Sequence, residues 1–146
     1  MPSVSESVEI AAAPEAAFKF VADAPERATT FIPGLNRIGG VSPDQPALGQ
    51  TWDYEFNWFG LVVAGKSRCT QYQKPGVYQF KTVTGNPSTW TYRFEPKGKG
   101  TRLTLDVEYE LPQNQLARFA AAGVLEQMNR NRAREIVDNL KALIEP

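Results

Sequence analysis

Histidine is absent from this chain of 146 residues, and that absence removes more chemistry than any residue present supplies. Ser-His-Asp and Cys-His catalysis need an imidazole, as do His-containing zinc sites. No side chain remains whose unperturbed charge change falls close to neutral pH. Cysteine occurs once, as Cys69, so an intramolecular disulfide and a cluster held by several thiolates are both excluded, and a reducing compartment is expected. Net charge is lacking as well. Sixteen Lys and Arg offset 16 Asp and Glu, leaving no overall field to draw in nucleic acid or an anionic membrane surface. Apolar runs last only a few residues, against the roughly 20 that a membrane-spanning helix requires. Residues Met1 to Ile10 lack the basic start and apolar run of a secretory signal. The expectations that follow are no metal, no cofactor, no nucleic-acid partner, no integral membrane contact and a cytoplasmic location.

What is present suits an ordinary globular core, with 42% hydrophobic and 22% charged residues. No repeat, low-complexity tract or linker-like shift divides the sequence, so one domain over residues 1–146 is expected. Val4, Glu6, Val8 and Ile10 alternate with Ser3, Ser5, Ser7 and Glu9, which predicts a half-buried strand. Pro14 and Glu15 open a short helix with Ala17, Phe18, Val21 and Ala22 as its apolar stripe. Pro25 and Glu26 open a second one, stopped by Pro33-Gly34.

The period then becomes two. It predicts strands at Asn36–Val41, Gln50–Phe59, Leu61–Gln71, Val77–Thr84, Thr89–Glu95 and Thr101–Leu111, separated by proline and glycine punctuation. These gaps suit antiparallel hairpins, because parallel pairing needs crossovers of about a dozen residues. From Pro112 a helix is predicted to run to Ile144. Its last ~21 residues alone would span about 31 Å, while a compact chain of this size has a radius of gyration near ~15 Å. A curved sheet wrapped around one long helix satisfies both lengths and gives the sheet's open face a cover.

Trp52, Tyr54, Phe56 and Trp58 share one face of their strand, and Tyr78, Phe80, Trp90, Tyr92, Phe94, Leu103, Leu105, Val107 and Tyr109 continue it. This is the expected concave face. An aromatic core is the ordinary use of such residues. Two features favour a cavity instead: the large rings oppose the small residues Ala120, Ala121, Ala122 and Gly123, and Tyr54, Tyr92 and Tyr109 carry hydroxyls that need partners if buried. A few polar tips among apolar walls is the usual make-up of a small-molecule site.

On an ideal helix Leu125, Met128, Arg132, Ala133, Ile136, Leu140 and Leu143 share one face, with Asn129 near its middle. Arg130 and Arg134 lie opposite, one turn from Glu126 and Asp138, and read as a solvated ladder. Arg132 interrupts the apolar stripe, and a buried guanidinium needs an acceptor or water. Glu6 is the candidate partner. In the alternative reading Arg132 and Asn129 orient a carboxylate, carbonyl or phenolate of a ligand. Leu116, Phe119, Ala120 and Gly123 project from the other side, which implies a kink near Gly123 or a face for a partner.

Asp53/Glu55 and Asp106/Glu108, with Lys81 and Arg93, fall on the outer face and read as cross-strand ion pairs. Cys69 reads as a small core residue. Gly98-Lys99-Gly100 reads as a turn.

The opening Val8-Glu9-Ile10-Ala11-Ala12-Ala13-Pro14-Glu15-Ala16-Ala17-Phe18 and the segment Phe31-Ile32-Pro33-Gly34 resemble the START-related SRPBCC superfamily. So do Trp90-Thr91-Tyr92-Arg93-Phe94-Glu95-Pro96, Gly100-Thr101-Arg102-Leu103-Thr104 and the ending Asn139-Leu140-Lys141-Ala142-Leu143-Ile144-Glu145. The resemblance implies an α+β helix-grip fold with an internal cavity, in a superfamily that includes lipid and quinone carriers and aromatic polyketide cyclases. The first functional reading is binding or transport of an apolar or amphipathic molecule (a lipid, quinone or polycyclic aromatic). Its expected binding residues are Glu6, Tyr54, Phe56, Trp58, Phe80, Trp90, Tyr92, Tyr109, Met128, Asn129 and Arg132. The second is a cyclase or dehydratase without metal or histidine, in which Glu6, the three tyrosines or Arg132 would move protons. The third is an interaction module that dimerises through Leu116–Val124.

Overall fold

The computed structural model describes residues 2–58, 60–110 and 122–146, apart from the side chains at 122, 123 and 125. The alternating opening forms β1 (Ser3–Ile10), with Val4, Val8 and Ile10 buried. Pro14 starts α1 (Pro14–Ala22), whose stripe of Ala17, Phe18, Val21 and Ala22 is buried as its spacing requires. The segment opened by Pro25 is a tighter 3-10 helix, η1 (Pro25–Thr30). Six further strands follow: β2 (Leu35–Ser42), β3 (Thr51–Trp58), β4 (Leu61–Gln73), β5 (Val77–Thr84), β6 (Ser88–Lys97) and β7 (Gly100–Tyr109). They form one antiparallel sheet in the order β1-β7-β6-β5-β4-β3-β2. A long helix, α2 (Ala122–Ile144), crosses it. This is the helix-grip fold. Among the described residues no helix is long and apolar enough to cross a membrane.

The strand bounds differ from the expected ones by at most two residues: β5 matches at both ends, and β4 runs on to Gln73. Its pairing with β5 shifts twice, between Lys66 and Ser67 and between Cys69 and Gln71. Gly65 precedes the first shift, and a β-carbon there would collide with the Thr84 carbonyl. The missing side chain lets the neighbouring backbone close in where the register shifts.

The inward face of α2 is rotated from the expected one. Ala133, Ile136, Val137 and Leu140 are buried, with Ile144 packed against the same core, so the stripe runs i, i+3, i+4, i+7 and i+11. Val137 belongs to it, whereas Leu143 is 46% exposed. The rotation moves Arg132 and Met128 away from the centre of the stripe. The expected helix between residues 112 and 121, its kink near Gly123, the Leu116–Val124 patch and the opposing small residues lie outside the described residues or side chains.

The outer charges pair as spacing suggests. Arg130 lies 3.1 Å from Glu126 and Arg134 3.3 Å from Asp138. On the convex face Arg93 meets Asp106 at 2.8 Å and Lys66 meets Asp53 at 3.0 Å. All are exposed enough to add little stability. At the end of α2, Lys141 Nζ donates to the Glu9 carbonyl (2.7 Å) and Glu145 accepts the Ala11 N–H (2.7 Å), tying the helix to the end of β1.

Candidate functional site

Sheet alternation and the crossing helix leave a cavity of about 140 Å³ between them. Its walls are largely rings. Trp52, Tyr54, Phe56 and Trp58 come from β3, Tyr78 and Phe80 from β5, Trp90 and Tyr92 from β6, and Tyr109 from β7. Cross-strand pairing builds this surface directly. Phe80 faces Trp90 in the ladder and stacks on it with centroids 5.7 Å apart at 13°, while Trp52 meets Phe80 edge-on at 5.4 Å. Asn129, Arg132, Ala133 and Ile136 of α2 complete the wall opposite the sheet.

The expected residues Tyr54, Phe56, Trp58, Phe80, Trp90, Tyr92, Tyr109, Asn129 and Arg132 are therefore brought together. Two are not. Met128 is half-buried off the stripe and outside this lining. Glu6 sits on β1 with its carboxylate 3.9 Å from Arg134, whose guanidinium also donates to the Ser7 carbonyl at 3.1 Å. The expected Glu6–Arg132 pairing is thus corrected: the helix rotation brings Arg134, which spacing alone assigns to solvent, over β1.

Arg132 is held elsewhere. Its Nη1 donates to the Pro33 carbonyl at 2.7 Å, and the guanidinium lies over the Phe56 ring, 5.6 Å from its centroid. Gly34, at φ +90°, makes room for it, because a β-carbon there would lie 2.6 Å from Nη1. Partial burial lowers the guanidinium pKa from its ordinary value, and the Glu135 charge opposes that shift. It remains a cation at any ordinary pH.

The three tyrosines have different partners. Tyr54 donates to the Thr84 carbonyl at 3.2 Å, and Tyr109 accepts from the Asn129 amide at 3.0 Å. Burial raises both phenols above their ordinary value, with hydrogen bonds at each hydroxyl partly offsetting it. Tyr92 is 1% exposed, and among the described residues its hydroxyl has no hydrogen-bond partner. Burial alone raises its pKa strongly. Leaving a buried hydroxyl unpaired costs about 1–3 kcal/mol. Tyr92→Phe is accordingly expected to raise the unfolding free energy by about 1 kcal/mol, read as a higher urea midpoint at unchanged slope. A lower midpoint would mean that the hydroxyl is satisfied after all.

Several lining residues escape a reading of the sequence. Val21, Pro25, Ala28, Phe31 and Ile32 arrive from α1, η1 and the turn after it, and which core those stripes face is a tertiary fact. Val63 and Ser67 of β4 were within reach: a tight turn at Gly60 carries the phase of β3 across, setting Phe56 opposite Val63 and Trp52 opposite Ser67. Ser67 is only 2% exposed, a small polar residue at the floor of a ring-lined space. Cys69, next on that face, is buried as expected and donates to the Gln71 carbonyl at 3.4 Å. Burial pushes its thiol up to about 11, with the Gln71 and Gly49 backbones opposing, which removes it as a nucleophile near neutral pH.

A family model described as polyketide cyclase / dehydrase and lipid transport matches residues 1–145. Among solved structures, a protein from Thermus thermophilus superposes with a TM-score of 0.81 at 16% identity, over 98% of this chain and 97% of its own. A START superfamily protein from Mycobacterium smegmatis gives 0.75 at 15% identity, over 97% and 96%. Major latex-like protein 151 from Panax ginseng gives 0.73 at 11%, over 99% and 98%. At these identities the likeness is one of fold. No curated protein sequence matches significantly.

Proposed function

This chain belongs to the polyketide cyclase/dehydrase and lipid transport family, and on that premise we propose that it binds an apolar or amphipathic small molecule between its sheet and α2. The observation that carries the reading is the ring-walled cavity of about 140 Å³. Apolar cavities near ~150 Å³ hold a molecule the size of benzene, whereas drug-sized ligands occupy about 300–1,000 Å³. In the form described, one substituted ring fits as the cavity stands. A lipid chain or polycyclic aromatic would need the sheet and helix to part.

The polar groups of the wall support holding rather than turning over such a molecule. Tyr54, Tyr92 and Tyr109 keep their protons at neutral pH because burial raises each phenol, and Arg132 keeps its charge. Tyr54 gives its proton to the Thr84 carbonyl and Arg132 is held by the Pro33 carbonyl, which leaves a tyrosine hydroxyl as the donor to a ligand oxygen. Proton abstraction needs a base that is deprotonated near neutral pH, and these side chains do not meet that requirement.

Native mass spectrometry of protein isolated from its own cells tests the proposal. The expected result is a hydrophobic molecule that co-migrates and is released on denaturation. Protein that carries no such mass, and that shows no change in tryptophan fluorescence with toluene or naphthalene, would end the binding reading.

A further inference from the structure

Trp58 can only donate a hydrogen bond through its ring nitrogen, and Nε1 lies 2.9 Å from the Asn129 side-chain oxygen. That contact settles which way the Asn129 amide faces. Its nitrogen is then the atom 3.0 Å from the Tyr109 hydroxyl oxygen, and it donates there. Tyr109 therefore accepts within this relay, and its own proton must point elsewhere. Among the described residues no group accepts that proton. Tyr109 is 7% exposed, packs edge-on against Trp58 at 6.1 Å and lines the cavity. A relay of donors thus ends on an uncommitted hydroxyl in an apolar wall.

We propose that the Tyr109 hydroxyl is the polar anchor of the ligand, donating to a neutral carbonyl oxygen carried on a ring that lies against Trp58. This rests on the reading of the cavity as a binding site. Burial raises the phenol, donation from Asn129 opposes the shift, and the nearby Glu126 carboxylate raises it again. The hydroxyl accordingly keeps its proton at neutral pH. The rings and aliphatic side chains around it make a desolvated carboxylate or phenolate costly at this point, and so favour an uncharged acceptor. Arg132, occupied by the Pro33 carbonyl and the Phe56 ring, is assigned to the wall rather than to this oxygen.

Two probes of nearly equal shape test the assignment: acetophenone, which carries the carbonyl, and cumene, which does not. Their dissociation constants are measured by calorimetry on the whole chain, and the readout is the ratio between them. Tyr109→Phe keeps the ring and removes the donor, so the preference for acetophenone is expected to fall about tenfold. Trp58→Phe releases the Asn129 amide to turn its oxygen toward Tyr109, and the preference is expected to fall about fivefold although Tyr109 is intact. A ratio unchanged in either variant overturns the proposal while the binding reading stands. Failure of the folded parent chain to bind either probe overturns both.

Discussion

Phe18→Ala is expected to lower the free energy of unfolding by about 3–5 kcal/mol, a large part of the roughly 5–15 kcal/mol typical of a domain. Phe18 has no exposed surface. Its ring meets Tyr72 edge-on at 5.2 Å, Phe94 at 5.4 Å and Tyr78 at 6.4 Å, so one side chain on α1 joins β4, β5 and β6. Tyr72 in turn donates to Asp23 at 2.9 Å, just past the end of α1. Truncation removes the contacts of a whole ring and leaves a void that strands in a hydrogen-bonded sheet cannot collapse to fill. Urea denaturation followed by tryptophan fluorescence measures the change. A loss below about 1.5 kcal/mol would mean that α1 is held to the sheet by other means. A functional consequence follows from chain order. Val21, Pro25, Ala28 and Phe31 line the cavity from α1 and the segment after it, so loosening α1 also loosens one wall of the site.

The contrast between what the sequence disclosed and what it withheld follows from the range of the forces involved. Alternation fixed the strand faces because a one-residue slip would turn Trp52, Tyr54, Phe56 and Trp58 outward together. Each of the nine expected wall residues that the structure gathers carries either a large ring or a polar group interrupting an apolar stripe. Both are local signals. The rotation of α2 has no such signal. Val137 and Leu143 are comparable apolar residues on adjoining sides of one helix, and only contact with the sheet decides that Val137 is buried while Leu143 is 46% exposed. The pairing of Glu6 depended on that rotation. Choosing between Arg132 and Arg134 for it required knowing which side of the helix passes over β1. The register shifts between β4 and β5 are similarly hidden, although Gly65 marks the place where the neighbouring backbone has room to approach.

Ser67→Leu is expected to weaken binding of a one-ring ligand about 100-fold, which is about 2.8 kcal/mol at tenfold per 1.4 kcal/mol. Ser67 lies on a strand flanked by β3 and β5, opposite Trp52 in the ladder, so its side chain cannot move aside as a loop residue could. A leucine there replaces one small hydroxyl with a branched apolar group inside a space of about 140 Å³, and what remains is too small for a ring. Stability should move the other way or not at all. In a packed core, added carbon atoms force side chains off their rotamers and cost about 1–3 kcal/mol. In an empty apolar cavity they find atoms to touch and gain dispersion contacts. Unfolding free energy and affinity, measured on the same preparation, therefore separate a ligand cavity from a tightly packed interior. Lost affinity at equal or higher stability is the expected pair of results. Retained affinity would place the ligand elsewhere on the chain, and a stability loss above about 2 kcal/mol would mean that the interior had no room to fill.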